Sequence, residues 1–139
     1  MAQDDISISS DKRSLTPAEV AAIYVELGWG MKKEYSAARM KRSIANCDVV
    51  VSARNASGEL IGIGRVLSDF ATTTKILDML IVPEYQHQGI GKRMMQKIES
   101  LVKGTDIYGE TERKNFGFLE ECGYKKRKGL MVFVKKAKR

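Results

Sequence analysis

The chain has 139 residues and a mass of 15.5 kDa, which fits one domain over 1–139, and 43% hydrophobic residues supply a core without staples. Two cysteines, Cys47 and Cys122, without CxxC spacing and with one histidine in the chain, exclude a disulfide framework and a zinc site and predict no metal and a reducing, cytoplasmic setting. No run approaches 18 apolar residues, and the first five carry acid where a secretory leader needs basic charge, so neither membrane spanning nor secretion is expected.

Residues 5–9 alternate in the period-two manner of a half-buried strand. Thr16-Pro17-Ala18-Glu19 combines a capping hydroxyl, a proline at the first helical position and a glutamate at the third, which predicts a helix through Val20, Ile23, Tyr24 and Leu27 that ends at Gly28. A second amphipathic stretch covers 36–47, with Met40, Ile44 and Cys47 on one side. Three strands follow over 48–54, 60–67 and 75–82; Asn55-Ala56-Ser57-Gly58 is the hairpin signal between the first two. After a break at Pro83-Glu84-Tyr85, Ile90, Met94, Ile98, Leu101 and Val102 line one face of a helix stopped by Gly104. A short strand over 106–109, a helix over 113–122 and a hairpin pairing 124–126 with 130–134 complete the order βααβββαβαββ. This pattern predicts an α+β fold on a mixed, mostly antiparallel sheet flanked by helices.

The net charge of +7 is concentrated at one end. Residues 125–139 hold eight basic side chains and no acid, which leaves 16 basic against 17 acidic residues elsewhere. The basic tail at 135–139 therefore reads as a solubilising end, and nucleic acid is not an expected partner.

The most informative segment is the junction of strand 75–82 with the helix beginning at Ile90. Free backbone N–H groups and the positive helix end converge at such a junction, and glycine lets an anion approach closely. A nucleotide P-loop fails twice, because Gln86 occupies its first glycine position and Arg93 its Ser/Thr position. A Rossmann reading from Gly89 meets Met94 where its third glycine belongs. What remains is Gln86-x-x-Gly89-x-Gly91.

That loop resembles the [Q/R]-x-x-G-x-[G/A] pyrophosphate-binding signature of the GNAT N-acetyltransferase superfamily. Phe118-Leu119-Glu120-Glu121-Cys122-Gly123-Tyr124 is similar to the family's F-Y-E-K-L-G-F segment, and the two fall in family order. The resemblance implies a GNAT-type fold and acetyl-CoA as cosubstrate. Backbone groups of His87, Gln88, Gly89, Ile90, Gly91 and Lys92 would hold its pyrophosphate, and those of Met79, Leu80 and Ile81 its pantetheine arm and thioester carbonyl. It also implies transfer of the acetyl group to a primary amine by direct attack in a ternary complex. The acceptor would be a small molecule or a protein amine, and the assembly is left open to a homodimer. The alternative is a catalytically silent CoA-binding or regulatory protein of the same fold.

Asp78 interrupts an otherwise apolar strand. It is either a group that handles the acceptor amine or the ion-pair partner of Arg65 on the preceding strand. Leu119 stands where the family's tyrosine often protonates the leaving thiolate, so Tyr124, with Tyr108 behind it, is the candidate substitute acid. Gly62-x-Gly64-Arg65, Ser68-Asp69 and Asp78 also look like the small arylalkylamine-type members. Tyr24, Trp29 and Tyr35 would suit an apolar or aromatic amine there, or serve as core and lid packing.

Overall fold

A computed structural model describes residues 5–112 and 115–138. Its elements are β1 (Ser7–Ser9), α1 (Pro17–Glu26), α2 (Ala37–Asn46), β2 (Val49–Arg54), β3 (Leu60–Ser68), β4 (Thr73–Ile81), α3 (Ile90–Leu101), β5 (Asp106–Gly109) and α4 (Phe116–Glu121). The five strands form one sheet in chain order, antiparallel except for the parallel β4–β5 pair. The α+β class and the mostly antiparallel sheet are as the sequence predicts.

Local chemistry sets the helix starts. The Glu19 N–H donates to Thr16 Oγ1 at 3.3 Å and the Thr16 N–H to Glu19 Oε2 at 2.8 Å, the reciprocal capping box. The Glu19 carboxylate also pairs with Arg54 at 2.8 Å and so ties the start of α1 to the end of β2. Ser36 caps α2 through the Arg39 N–H.

Strand alternation divides the core between the two faces of the sheet. On one face Val49, Val51, Ala53, Ile61 and Val66 meet Ile90, Met94, Met95 and Ile98 of α3. On the other, Val50, Ile63 and Leu80 meet Val20, Ile23 and Tyr24 of α1 and Met40 and Ile44 of α2. Each such side chain, fully buried, contributes about 1.5–3 kcal/mol, so helix packing on both faces carries most of the stability.

One irregularity matters for the site. Arg65 pairs with Asp78 and Val66 with Ile76, so Leu77 is an extra residue on β4. A one-residue bulge reverses side-chain parity. Ile76 thus faces α3 while Asp78, two residues on, faces α1 and α2. β5 covers β4 only from Thr73 to Ile76, and beyond that point β4 runs on to Ile81 with its outer edge unpaired by any described strand.

The expected terminal hairpin is not formed. Leu130 donates to the Arg127 carbonyl and closes a turn, but residues 124–138 contain no strand, and Leu130 to Val134 are 62–92% exposed. An arm of three residues, two of them lysine, offers too few cross-strand contacts to offset the entropy of ordering the segment. The last helix begins at Phe116, and the first two positions expected for it, 113 and 114, lie outside the described residues. Among the described residues no helix is long and apolar enough to cross a membrane.

Candidate active site

The free edge of β4 has a definite polarity. The Val82 N–H donates to the Ile61 carbonyl at 2.9 Å, so in an antiparallel ladder residues 82, 80 and 78 direct their backbone groups to β3. Met79 and Ile81 therefore turn theirs to the open edge. The Ile81 carbonyl confirms the parity, because it accepts a hydrogen bond from Gln86 Nε2 at 2.9 Å on that side. Leu80, expected to present a backbone donor to the site, directs its N–H to β3 and its side chain to the α1–α2 core.

The loop that follows is pinned at several points. A 3₁₀ turn over Pro83–Tyr85 brings the Tyr85 hydroxyl to Asn55 Nδ2 at 3.1 Å, and Gln88 Nε2 donates to the Glu84 carbonyl at 2.9 Å. His87 and Gly89 both adopt left-handed backbone, with φ of 62° and 80°. Gly89 is the N-cap of α3 and has no side chain to satisfy the first-turn donors. The N–H groups of Ile90, Gly91 and Lys92 accordingly have no partner within the helix and point at the same place as the positive helix end. The helix start thus leaves backbone donors free at the junction where the sequence expects an anion to bind. His87 and Lys92 are exposed beside it.

Gly91 is also constrained by packing. A Cβ there would lie 3.0 Å from Phe118 Cε1 and 3.1 Å from Ile81 Cδ1. The missing side chain makes room for α4 on α3, while Gly89 supplies the backbone freedom the loop needs.

Behind the bulge lies a closed polar cluster. Asp78 Oδ2 accepts from Arg65 Nη2 at 2.5 Å, and Arg65 Nε lies 3.2 Å from both carboxylate oxygens. Oδ1 also accepts from the buried Tyr24 hydroxyl at 2.7 Å, and Arg65 Nη1 donates to Ser43 Oγ at 2.8 Å. Asp78's side chain is 1% exposed and Arg65's 15%. Burial opposes the Arg65 charge, but the bonds to Asp78 outweigh it and leave the guanidinium pKa above its ordinary value. Burial, and then the Asp78 charge, push the Tyr24 hydroxyl up as well, so it stays a donor. The Asp78 carboxylate is saturated by groups of the protein. Of the two roles considered for it, the Arg65 ion pair is the one formed.

Tyr35 stacks on Tyr24 with ring centroids 4.8 Å apart, and Trp29 meets Tyr24 edge-on at 6.2 Å. Beside them opens a cleft of about 440 Å³ lined by Glu34, Tyr35, Arg39, Arg42, Asn46 and Arg65, among others. Arg39 and Arg42 carry no signal as ligands in the sequence, because on α2 they lie among the polar positions of an amphipathic helix.

Tyr124 is turned away from the open edge. Its hydroxyl lies 3.2 Å from Glu99 Oε1, nine residues along α3 from Ile90 and therefore about 13 Å down the helix axis from the anion site. Burial and then the Glu99 charge raise its pKa, which makes it a weaker acid. Tyr108 sits on β5 opposite Lys75, and Leu119 packs against the α3 core. Among the described residues no three His, Cys, Asp or Glu side chains converge to hold a metal ion.

Residues 45–126 match a family model described as an acetyltransferase (GNAT) domain. Two similar proteins are GCN5-related N-acetyltransferases 3 and 2, chloroplastic, of Arabidopsis thaliana. The first is 36% identical over 74 residues, 49% of this chain and 30% of that protein. The second is 33% identical over 89 residues, 60% of this chain and 34% of that protein. The chain thus spans about a third of the length of these relatives. In fold it is similar to an acetyltransferase of the GNAT family from Streptococcus pneumoniae TIGR4, with TM-score 0.78 and 21% identity over 95% of this chain and 99% of that one. An aminoglycoside 6′-N-acetyltransferase from Acinetobacter baumannii superposes with TM-score 0.71 and 15% identity over 96% and 99% of the two chains.

Proposed function

This chain belongs to the GNAT acetyltransferase family, and we propose that it transfers an acetyl group from acetyl-CoA to a primary amine by direct attack in a ternary complex. The observation that carries the proposal is the uncovered edge of β4 running straight into the uncapped start of α3. Backbone groups of Met79 and Ile81 are suited to an extended amide-bearing arm, and the N–H groups of Gln88, Gly89, Ile90, Gly91 and Lys92, with His87 contributing its own, are suited to a pyrophosphate. Bound there, acetyl-CoA supplies an activated thioester; everything else falls to the chain's own residues.

In this reading the Met79 and Ile81 N–H groups are the available donors to a developing oxyanion. An alkylamine with a pKa near ~10.4 is almost wholly protonated at neutral pH, so its proton has to leave before attack. Asp78, engaged by Arg65 and Tyr24, is not placed to take it. We assign Asp78 a positioning role: its ion pair fixes the bulge that turns Met79 to the open edge, and water receives the proton. A thiolate whose conjugate acid has a pKa near ~8.5 departs without a dedicated acid, which suits Leu119 in the family's tyrosine position and Tyr124 bound to Glu99. The reducing, cytoplasmic compartment expected from the sequence stays part of this proposal, with Cys47 buried and Cys122 part-buried as free thiols.

The same two tyrosine observations favour the second reading, a CoA-binding protein without turnover. Thiol release from acetyl-CoA against a panel of small amines, with intact-mass analysis of peptide and protein acceptors, separates the two. Turnover of any amine, abolished by Gly89→Glu, supports the enzyme. CoA binding without turnover of any acceptor supports the silent protein, and unchanged CoA affinity in folded Gly89→Glu overturns both.

A further inference from the structure

The cleft beside the bulge differs in charge from what a polycationic acceptor requires. Three guanidinium groups, Arg39, Arg42 and Arg65, line it, with Glu34 as the carboxylate in its wall. Arg65 is neutralised by Asp78. Arg39 spends its Nε on the backbone carbonyl of Glu34 at 2.8 Å, a neutral acceptor that leaves its charge uncompensated. Arg42, one turn along the same face of α2, is exposed and has no hydrogen-bond or ion-pair partner among the described residues. Two uncompensated arginines against one glutamate leave the cleft cationic, and Asn46 adds a neutral polar group beside them.

The cleft also adjoins the reacting edge. Arg65, on its wall, grips Asp78, and the next residue of β4 is Met79, whose backbone faces the open edge. A molecule held in the cleft therefore lies on the α1–α2 side of the stretch of β4 that β5 leaves uncovered. Building on the acetyl-transfer reading above, we propose that the acceptor is an amine carrying an oxyanion, a carboxylate or a phosphate, which Arg42 and Arg39 bind while the amino group is directed toward the bulge of β4.

Two physical arguments converge on this class. Arginine matches planar oxyanions with paired N–H donors, and a half-enclosed cleft strengthens such pairs relative to open solvent. Positive charge near an amine also disfavours its protonated form, so the cleft would assist the deprotonation that Asp78, locked in its ion pair, does not perform. A polyamine meets the opposite situation: its charges are repelled by the wall that would have to receive them.

The test compares matched acceptors in the thiol-release assay: an aromatic α-amino acid against its amide, O-phosphoethanolamine against ethanolamine, and spermidine as the polycation. Wild type should prefer at least one oxyanion-bearing member over its counterpart lacking the oxyanion by tenfold or more in kcat/KM, mainly through KM, and the preference should shrink as salt rises. The carboxylate and phosphate pairs tell the two sources apart. Arg42→Gln should reduce the preference to threefold or less, Arg42→Lys should restore part of it, and a melting curve with CoA affinity checks that each variant is folded. Preference for spermidine, or an unchanged ratio in Arg42→Gln and Arg39→Gln, overturns the inference. If no amine turns over, calorimetry of the same acceptors with the CoA complex takes the place of kinetics. Binding of an oxyanion-bearing amine that is lost in Arg42→Gln then keeps the cleft assignment while acetyl transfer fails, and absence of such binding rejects the assignment.

Discussion

Replacing Asp78 by asparagine keeps the shape of the side chain and removes one charge from a cluster that has almost no access to water. The asparagine Oδ1 can still accept from Tyr24, but its Nδ2 donor would face the Nε and Nη2 donors of Arg65, which now hold a buried cation without a counter-ion. Breaking a buried pair from one side costs about 3–5 kcal/mol. Arg65 keeps 15% of its side chain in solvent, which favours the lower end, about 3 kcal/mol. For a chain of 139 residues that corresponds to a fall in Tm of about 10 °C, measurable by circular dichroism and by urea titration. Removing the whole cluster together, with Tyr24→Phe, Arg65→Met and Asp78→Leu, should recover much of the loss, since no polar group is then left stranded. If Asp78 positions the bulge, activity falls with stability while the shape of the pH profile for kcat/KM stays that of wild type. A variant that melts within about 1 °C of wild type, yet loses about 10²-fold or more in rate together with the acidic limb of that profile, would refute the positioning account and make Asp78 the proton acceptor.

Gly91→Ala should destabilise by about 1–3 kcal/mol, because its methyl group presses on Phe118 and Ile81, yet leave CoA affinity within about threefold, since its backbone N–H is kept; a tenfold loss by calorimetry with normal melting would show that the anion, not packing, excludes a side chain there. Gly89→Ala, at φ of 80°, should cost about 1 kcal/mol in backbone strain, read from urea midpoints. Hydrogen bonding to Arg54 is the main cause that lowers the Glu19 pKa to about 2, so its stabilisation is present at neutral pH and is lost as pH falls from about 4.5 toward 2. Glu19→Gln should therefore melt below wild type at pH 7, by about 1 kcal/mol after allowance for solvent screening, and converge with it near pH 2. Tyr124→Phe should keep turnover within about threefold; a hundredfold loss with intact CoA binding would identify it as the acid.

The elements with strong local chemistry were legible in the sequence. Thr16 and Glu19 announce α1, the apolar spacing from Ile90 announces α3, and Gln86-x-x-Gly89 announces the turn that leads into α3. What failed to show depends on partners far along the chain or on geometry without a residue code. No periodicity reveals that Leu77 is an extra residue, and without it Asp78 would be assigned to the face of Ile76. The Tyr24 hydroxyl finds its partner 54 positions away, although the side chain itself reads as core. That Gly91 also makes room for Phe118 is invisible until the two helices are seen together. The apolar run from Leu130 reads as a strand by composition, but pairing needs a second arm, and the lysine-rich segment before it supplies none.

The uncovered stretch of β4 has a consequence for the chain's solubility. Unsatisfied strand edges are templates on which other chains add, and proteins normally blunt them with charge, proline or a covering element. Here the protective devices are missing where they would count: Asp78 is folded inward, no proline falls within β4 and Pro83 comes only after it, and Leu77, Met79 and Ile81 are apolar. If acetyl-CoA binds as proposed above, its arm is more than a reactant, because it would serve as the strand this edge lacks. Filling the edge with CoA should slow aggregation during expression and storage, so that occupancy and colloidal behaviour rise and fall together.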